Sequence, residues 1–543
     1  MTDPLYDPFP WIRRGGPFDL GRLFEHPGED LWGIASDTKR VCIVGGGIAG
    51  LAAAFELIGL GHDVHVLEAS NRLGGRILTD RFAGTYGELG AMRIPLSHYC
   101  VRHYIHNFQL PLRQFVMTND DAYVLLRHRI GPVRRHELRN IAGLDDKRRE
   151  LSDYLTDGIG LLDQWRIFDN PGADAATKLW SCVSIWQYIQ RWVVPGSTEL
   201  RLRAPLLSRD EWEYAGRIDG LIWDEHAANL EAAVDDLIFG DPAMFEIPGG
   251  MDALVHAFAY YLDGTISLRS VVKEIRPDTS PGRVIVRWLE DGRTTRSAEF
   301  QFVICAIPPA CLVHIDWGNE LPREQWEALT KVTYGSAAKA VIHCDQRPWE
   351  FVDGIFGGAS FTDMPIEQLW YPSDNAAPAA EQLAEEAADP DAQPQLSARG
   401  ALSADPGLGY EPHATRWEAR PGASLYGPGT LLAYAHGDNA RRFAALPDRD
   451  RRESVLSCLR ELHPGIERYV RKIRCVAWDN EVNPGTGAFA MFNPGEQMRY
   501  GNWIAQPVGD RVFFAGEHVA GAHAWVQTSI QTALGAVWHV LSA

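Results

Sequence analysis

The chain has 543 residues, of which 45% are hydrophobic and 23% charged, a composition typical of globular proteins. Since one hydrophobic core seldom supports this length, we expect two or three domains. The 52 lysines and arginines against 71 aspartates and glutamates leave a formal net charge of -19, which argues against a nucleic-acid partner because there is no basic excess to displace counterions from phosphates.

The N-terminus, MTDPLYDPFPWIRRGGPFDLGRLF, contains an arginine pair but no apolar stretch after it, so it predicts no export signal. No segment approaches the ~20 apolar residues of a membrane span. The eight cysteines are scattered without CxxC or CxxH spacing, which argues against a zinc site or a disulfide framework. We therefore expect a soluble, cytoplasmic protein with no metal and no membrane partner.

Residues 41–70, VCIVGGGIAGLAAAFELIGLGHDVHVLEAS, fit one βαβ unit. The β-branched run at 40–44 predicts a buried parallel strand, and the run that follows predicts a helix closed by Gly59 and Gly61. The run HDVHVLEA predicts a second strand that ends at Glu68.

Three glycines in this unit fit the pattern GxGxxG. Gly45 permits a tight turn, Gly47 lets the backbone approach a pyrophosphate, and Gly50 lets helix and strand pack closely. The free N–H groups of the helix N-terminus favour the anion, and Glu68 can accept hydrogen bonds from a ribose diol. The strand, the helix and the acid at the expected distance predict a dinucleotide site.

The following segment, NRLGGRILTD, places Arg72 and Arg76 around Gly74 and Gly75. It resembles the extended fingerprint of the amine-oxidase family of FAD enzymes, in which this segment closes over the flavin side of the pyrophosphate. The resemblance covers roughly residues 36–372 and 427–541.

A second flavin segment is implied at 511–541, RVFFAGEHVAGAHAWVQTSIQTALGAVWHVL. An apolar strand leads into Gly516 and Glu517, which in the family meet the ribityl-phosphate portion. In the family, the helix after them points its N-terminus at the flavin N1/O2 edge, where negative charge develops on reduction. The apolar face of this helix is predicted at Ile530, Leu534, Val537 and Leu541.

The runs at 246–258, 268–275 and 302–310 look like the middle FAD segments of the family, with Val272 as the backbone contact on the adenine side. The resemblance implies noncovalent FAD, because residues 476–543 lack the flavin-linking cysteine of monoamine oxidases. The cofactor-binding residues that it implies are Gly45, Gly47, Ile48, Ala49, Gly50, Glu68, Ala69, Arg72, Gly74, Gly75, Arg76, Gly90, Ala91, Met92, Arg93, Val272, Trp478, Gly516, Glu517, Ala524, Trp525 and Val526.

The run YGELGAMRIP at 86–95 looks like the branch of L-amino-acid oxidases and amino-acid 2-monooxygenases, in which an arginine of this turn binds the substrate carboxylate. Arg93 matches that arginine, and a planar guanidinium binds a carboxylate bidentately. The competing interpretation is a structural arginine paired with Glu88.

Two further catalytic residues are implied by the resemblance. Lys339, among small apolar residues, matches the lysine that holds a water at flavin N5 and aids reaction with dioxygen; a solvent-facing strand lysine is the alternative. Tyr371 matches the tyrosine that shares the substrate carboxylate with the arginine, although core packing competes for it. Trp525 and Phe489 are expected to form the apolar wall of the substrate pocket, with Trp478 as packing support.

The resemblance implies oxidative deamination of an L-amino acid to a 2-oxo acid, ammonia and hydrogen peroxide, with hydride transfer from Cα to flavin N5 and dioxygen as acceptor. The alternatives are an amino-acid 2-monooxygenase, which decarboxylates to an amide, and an amine or polyamine oxidase. A flavin-containing scaffold without turnover is a further possibility. The substrate side chain is open between basic and aromatic, and we expect a homo-oligomer, a dimer or higher.

We expect an α/β fold with a discontinuous Rossmann-type FAD-binding domain, a mixed-sheet substrate domain and a helical insertion. The expected FAD domain comprises 36–75, 246–325 and 483–543. The substrate-binding domain comprises 1–35, 76–125 and 326–482, and the helical domain 126–245. An Ala/Pro-rich insertion at 374–426 resembles nothing in the family and reads as a surface loop, a lid or a subunit contact.

Overall fold

The computed structural model describes residues 37–96, 98–126, 130–138, 243–278, 282–380, 382, 414–479, 487–493, 495–520 and 523–543. The predictions for residues 1–35, for most of the helical domain and for the centre of the 374–426 insertion lie outside the described residues. The acidic run WDEH at 223–226, which the sequence offers as a receptor for a basic substrate side chain, also lies outside the described residues.

The elements below are numbered in chain order within the described residues. The strands are β1 (Arg40–Val44), β2 (Asp63–Leu67), β3 (Thr79–Phe82), β4 (Thr85–Glu88), β5 (Ile94–Pro95), β6 (Arg113–Gln114), β7 (Tyr123–Leu126), β8 (Ile130–Arg134), β9 (Met244–Glu246), β10 (Ile266–Ser267), β11 (Ser270–Asp278), β12 (Arg283–Glu290), β13 (Thr294–Phe300), β14 (Phe302–Cys305), β15 (Tyr334–Gly335), β16 (Ala337–Cys344), β17 (Ala359–Thr362), β18 (Gln368–Trp370), β19 (Ala376–Pro378), β20 (Trp417–Ala419), β21 (Gly429–His436), β22 (Val470–Ala477), β23 (Phe489–Ala490) and β24 (Val512–Phe514). The helices are α1 (Ile48–Gly59), α2 (Tyr99–Asn107), α3 (Arg135–Leu138), α4 (Asp252–Tyr261), α5 (Pro309–Leu312), α6 (Arg323–Lys331), α7 (Pro348–Phe351), α8 (Gly437–Ala445), α9 (Asp448–Leu462), α10 (Glu496–Ile504) and α11 (Val526–Ser542).

A five-stranded parallel sheet in the order β10-β2-β1-β14-β24 is built from separated parts of the chain. The predicted βαβ unit is confirmed, since β1 and β2 pair in parallel with α1 between them. The strands are apolar on both faces because both faces are covered. Val41, Ile43 and Val66 share a core with α1 and α11, whereas Cys42 and Val44 share one with β11–β13.

A seven-stranded sheet in the order β22-β16-β21-β18-β17-β7-β8 forms a second layer. All residues of its central strands β16 and β21 are buried, because both faces of the sheet are packed. Side-chain alternation divides these strands between two cores. Val341, Trp370 and Tyr434 belong to one core, and Ile342 and Tyr371 belong to the core on the other side, with α8 and α9.

The ends of the Ala/Pro-rich insertion are ordered against the second layer. Strands β19 and β20 pair with each other, and the Trp417 Nε1–H donates to the Thr118 carbonyl at 2.9 Å. Arg347 donates to both Asp374 oxygens at 2.6 Å, which fixes the start of the insertion to the turn before α7. The insertion is therefore anchored at both ends, at its start by the Arg347–Asp374 ion pair and at its end by the Trp417 hydrogen bond.

None of the helices that the structure describes combines the length and the apolar composition needed to cross a membrane.

Candidate functional site

A cavity of about 1130 Å³ lies where the carboxyl ends of the parallel strands meet one face of the seven-stranded sheet. Ligands of open α/β sheets bind at this edge of the strands. All but two of the predicted site residues line the cavity: Gly45, Gly47, Ile48, Ala49, Glu68, Ala69, Arg72, Gly74, Gly75, Arg76, Gly90, Ala91, Met92, Arg93, Val272, Lys339, Trp478, Phe489, Gly516, Glu517, Ala524, Trp525 and Val526. Gly50 and Tyr371 do not line it.

The glycine loop shows a different constraint at each position. Gly45 has φ +110°, and a Cβ there would lie 2.7 Å from the Ala306 carbonyl oxygen. A Cβ on Gly50 would lie 2.0 Å from the Gly45 carbonyl oxygen, so Gly50 serves close packing beneath the cavity. A Cβ on Gly47 would meet no atom within 4 Å, because this residue borders the open cavity at the N-terminus of α1. The N-terminus of α1, whose first N–H groups have no partner within the helix, thus faces space in which an anion can bind.

The Glu68 carboxylate is held at the cavity edge by the backbone. One oxygen accepts the Gly46 N–H at 2.7 Å and the other accepts the Ser70 N–H at 2.7 Å. A carboxylate offers about four lone-pair positions, so two remain for hydroxyl donors. This geometry suits a ribose diol.

The two arginines of the segment after Glu68 have different roles. Arg72 donates to the carbonyls of Gly75 and Ile77, so it shapes its own turn beside the cavity. Arg76 forms an ion pair with Glu517, with an Nη1–Oε1 distance of 2.6 Å.

Glu517 joins the distant cofactor segments. It also accepts the Ala490 N–H at 3.1 Å and the Ala524 N–H at 3.2 Å. Burial alone raises the pKa of this carboxyl, but the neighbouring Arg76 cation, with contributions from His523 and His518, lowers it to about 2. Glu517 is therefore an anion at every physiological pH.

The N-terminus of the long helix α11 faces the same cavity. Trp525 is the N-cap residue, and Val526 and Ser529 of the first turn line the cavity wall. The predicted apolar face of α11 is confirmed: Ile530, Leu534, Val537 and Leu541 are all buried. Two helix N-termini, those of α1 and α11, thus supply positive potential to one cavity.

Lys339 lies on the central strand β16 and is 5% exposed, so the alternative of a solvent-facing strand lysine is wrong. Its Nζ donates to the Gly90 carbonyl at 2.6 Å, contacts Met92 Sδ at 3.1 Å and lies 4.5 Å from the Tyr434 ring centroid. Burial and the nearby Arg93 cation lower the pKa of Lys339 to about 7. The amine is therefore poised to gain or lose a proton beside the cavity.

Arg93 follows β4 on the segment that crosses the cavity wall. Its Nη1 lies 3.5 Å from Met117 Sδ, and its guanidinium lies 5.1 Å from the Trp370 ring centroid. The competing pairing with Glu88 is not observed, because Glu88 accepts hydrogen bonds from Thr79 and from the Met251 N–H. Burial raises the pKa of Glu88 to about 8.

The prediction that Tyr371 binds the substrate is wrong in this structure. Its hydroxyl lies on the side of the seven-stranded sheet opposite the cavity, hydrogen-bonded to Ser360 Oγ at 2.6 Å and to His463 Nε2 at 2.8 Å. The preceding residue, Trp370, lies on the cavity-facing core and packs on Arg93. Because successive side chains of a strand point to opposite faces of the sheet, an assignment that is off by one residue selects a side chain on the wrong face.

Aromatic side chains form part of the cavity wall. Trp478, Trp525 and Phe489, all predicted, line the cavity together with Tyr434, which the sequence analysis missed. Trp478 is fixed by its indole N–H, which donates to the Leu89 carbonyl at 2.8 Å. Tyr434 pairs with Lys339 across β21 and β16, a register that only the folded sheet reveals.

A second missed feature is a cluster around Asp80 behind the cavity. Asp80 accepts hydrogen bonds from Lys472 and Arg474 at 2.7 Å and lies 3.0 Å from His343 Nε2. Arg474 also lines the cavity. No sequence signal links these residues, because Asp80 and Arg474 are separated by 394 positions.

Comparison with known proteins agrees with this geometry. The family model described as flavin containing amine oxidoreductase matches residues 48–541. The chain is 27% identical to the L-amino-acid oxidase of Vipera ammodytes ammodytes, over 92% of both proteins. It is 28% identical to the L-amino-acid oxidase BmooLAAO-I of Bothrops moojeni, over 94% of this chain and 90% of the relative.

Solved structures show the same fold. A variant of putrescine oxidase superposes with a TM-score of 0.66 at 19% identity, over 93% of this chain and 99% of that one. Cyclohexylamine oxidase from Brevibacterium oxydans IH-35A superposes with a TM-score of 0.65 at 16% identity, over 93% and 98%. The predicted α/β fold class with a Rossmann-type FAD domain is thereby confirmed.

Proposed function

Because the chain belongs to the flavin containing amine oxidoreductase family, whose cofactor is FAD, we propose that it deaminates an L-amino acid oxidatively. The products are a 2-oxo acid, ammonia and hydrogen peroxide, and the electron acceptor is dioxygen. The observation that carries this proposal is the guanidinium of Arg93, which borders the cavity among aromatic rings and beside Lys339.

The residues of the cavity fit the cofactor. The open space at Gly47 and the N-terminus of α1 accommodate a pyrophosphate, and the Glu68 carboxylate accommodates the adenosine ribose. When bound, FAD accepts a hydride from the substrate and delivers the electrons to dioxygen. We propose that the cofactor is held noncovalently.

Arg93 is proposed to bind and orient the substrate through its carboxylate. A planar guanidinium forms two parallel hydrogen bonds to a carboxylate, which fixes the rotation of the amino acid as well as its position. The Trp370 ring beneath the guanidinium limits its motion. Fixed orientation of Cα is the main contribution that the protein makes to rate in such a reaction.

The wall of the cavity favours a large aromatic or apolar substrate side chain over a basic one. Trp478, Trp525 and Phe489 offer apolar surface. Among the described residues that line the cavity, the acids are Glu68 and Glu517, which already accept backbone N–H groups or pair with Arg76. Glu496, which the sequence alone offers as a receptor for a basic side chain, accepts hydrogen bonds from Thr333 and Asn493.

Lys339 is proposed to hold or release a proton in the site and to orient one water molecule there. Its pKa of about 7 lets Nζ hold or release a proton near physiological pH. The hydrogen bond to the Gly90 carbonyl fixes the amine, so its remaining hydrogen-bonding positions can orient one water beside the substrate. The aromatic rings keep further water away.

A product analysis tests the proposed function. The purified protein is screened with the twenty L-amino acids in a peroxide-coupled assay, and the organic product of each active substrate is identified. A 2-oxo acid with stoichiometric ammonia and peroxide supports the proposal. An amide with carbon dioxide identifies a 2-monooxygenase, and turnover of putrescine or benzylamine without turnover of amino acids identifies an amine oxidase.

A further inference from the structure

His518 stands out among the residues that line the cavity. It lies in the short turn Glu517–Val519 directly after β24, and it is 2% exposed. Within the described part of the chain, neither of its ring nitrogens has a hydrogen-bond partner. A buried polar group is normally satisfied, so two unsatisfied nitrogens on one ring need an explanation.

The position of the His518 ring is imposed by the backbone. Gly516 has φ +130°, and a Cβ on this residue would lie 2.8 Å from His518 Cε1 and 2.9 Å from Nδ1. The imidazole is therefore packed against the Gly516 backbone, in the space that a side chain at position 516 would occupy. The ring borders the cavity because the strand ends there.

The imidazole is uncharged in this place. Burial lowers the pKa of His518 to about 3 and outweighs the neighbouring Glu517 carboxylate, which raises it, while the Arg76 and His523 charges lower it further. A neutral imidazole has one N–H donor and one acceptor nitrogen. Its missing partner must therefore both accept and donate hydrogen bonds.

We propose that His518 is a cofactor-binding residue whose imidazole hydrogen-bonds the hydroxyl groups of the ribityl chain of FAD. A pyrophosphate only accepts hydrogen bonds, so it would leave the acceptor nitrogen unsatisfied, whereas a polyol chain offers donors and acceptors together. The inference rests on the cofactor of the family and is independent of the substrate proposed above.

Flavin affinity tests this assignment without reference to turnover. His518→Phe keeps an aromatic ring and removes both nitrogens, and His518→Asn keeps one donor and one acceptor. We expect His518→Phe to weaken FAD binding by the apoprotein about tenfold and His518→Asn to recover part of the loss. The probes are FAD and its 2′-, 3′- and 4′-deoxyribityl analogues, and we expect the loss to disappear with at least one analogue.

The stability of the apoprotein separates this role from a structural one. Since the nitrogens are unsatisfied without the cofactor, we expect the Tm of the His518→Phe apoprotein to equal or exceed that of the wild type. The matched control is His98→Phe: His98 is also buried, packs on Trp525 with a ring distance of 5.0 Å, and is not part of the cavity wall. This control should leave the flavin Kd within about twofold.

Three results would overturn the assignment. They are an unchanged FAD affinity in His518→Phe, an equal loss with all three deoxy analogues, and a clear fall of the apoprotein Tm. If the apoprotein cannot be prepared, the rate of flavin release from the diluted holoenzyme replaces the Kd, and an unchanged rate contradicts the proposal. An inactive wild type that still shows these affinity differences would refute the proposed substrate and leave this inference standing.

Discussion

Arg76 and Glu517 are 441 residues apart in the chain, yet they form an ion pair of 2.6 Å in the cavity wall. Arg76 belongs to the segment after the glycine loop, and Glu517 follows β24 near the start of α11. The pair therefore ties together the two chain segments that surround the cofactor site. The Glu517 side chain is 4% exposed and the Arg76 side chain 29% exposed, so solvent screens the pair only in part.

Breaking this pair should cost stability. Glu517→Gln leaves a largely buried guanidinium without its anion, and we expect the free energy of unfolding to fall by about 2–3 kcal/mol, at or just below the range for fully buried pairs. Glu299→Gln is the control, because the Arg283–Glu299 pair is exposed and should contribute less than about 1 kcal/mol. Urea denaturation measures both; equal effects would show that the Arg76–Glu517 pair is not specially stabilising.

Two glycine-to-alanine changes should distinguish a glycine that leaves room for the cofactor from a glycine that is needed for packing of the protein. Gly47 has φ -74° and no atoms near a new Cβ, so Gly47→Ala should leave apoprotein stability nearly unchanged. The methyl group would intrude on the cofactor, and we expect a ten- to hundredfold weaker flavin Kd. Gly50→Ala places a Cβ 2.0 Å from the Gly45 carbonyl and should lower apoprotein stability by about 1–3 kcal/mol or more. A loss of apoprotein stability in Gly47→Ala, or a weaker flavin Kd without loss of stability in Gly50→Ala, would contradict these roles.

The pKa of Lys339 predicts how stability depends on pH. The folded protein releases this proton near pH 7 and the unfolded chain near its ordinary value of 10.5. Between these values the unfolded state binds more protons, so the free energy of unfolding rises with pH. Relative to Lys339→Met, the wild-type apoprotein should gain up to about 1.4 kcal/mol per pH unit from pH 7 to 10. Lys331→Met, at an exposed position, is the control. If the difference in free energy of unfolding between the wild type and Lys339→Met does not change with pH, the lowered pKa of Lys339 is refuted.

Substitutions at Trp370 and Tyr371 should have opposite consequences. Tyr371→Phe removes a hydroxyl that bonds Ser360 and His463, so we expect a loss of about 1–2 kcal/mol in stability and an amino-acid KM within twofold of the wild type. Trp370→Leu removes the ring beneath Arg93 and should raise that KM about three- to thirtyfold. A large KM increase in Tyr371→Phe would restore the original assignment.

Much of the cofactor site could be predicted because its signals are local. The spacing of Gly45, Gly47 and Gly50 between a strand and a helix has a physical reason at each position, and Glu68 follows at the end of the next strand. The apolar face of α11 follows from helical periodicity. These features do not depend on contacts between distant segments.

The remaining features depend on long-range packing. The strand that holds Trp370 is buried on both faces, so its pattern does not show which residue faces the cavity. Tyr434 reaches Lys339 only through the pairing of β16 with β21, and Glu517 reaches Arg76 only when the chain ends meet. His518 is identified by what its ring lacks, and this can be seen only in the folded structure.

The binding of the substrate carboxylate by Arg93 is the central claim, and the most direct test compares two substrates that differ only in that group. We expect Arg93→Met to lower the kcat/KM for L-phenylalanine by about 30- to 3000-fold, the effect of removing a charged hydrogen-bonding partner worth about 2–5 kcal/mol. The rate of anaerobic flavin bleaching by 2-phenylethylamine should not fall, and the flavin content should stay unchanged. An equal loss with both compounds, or no loss with L-phenylalanine, would contradict the claim.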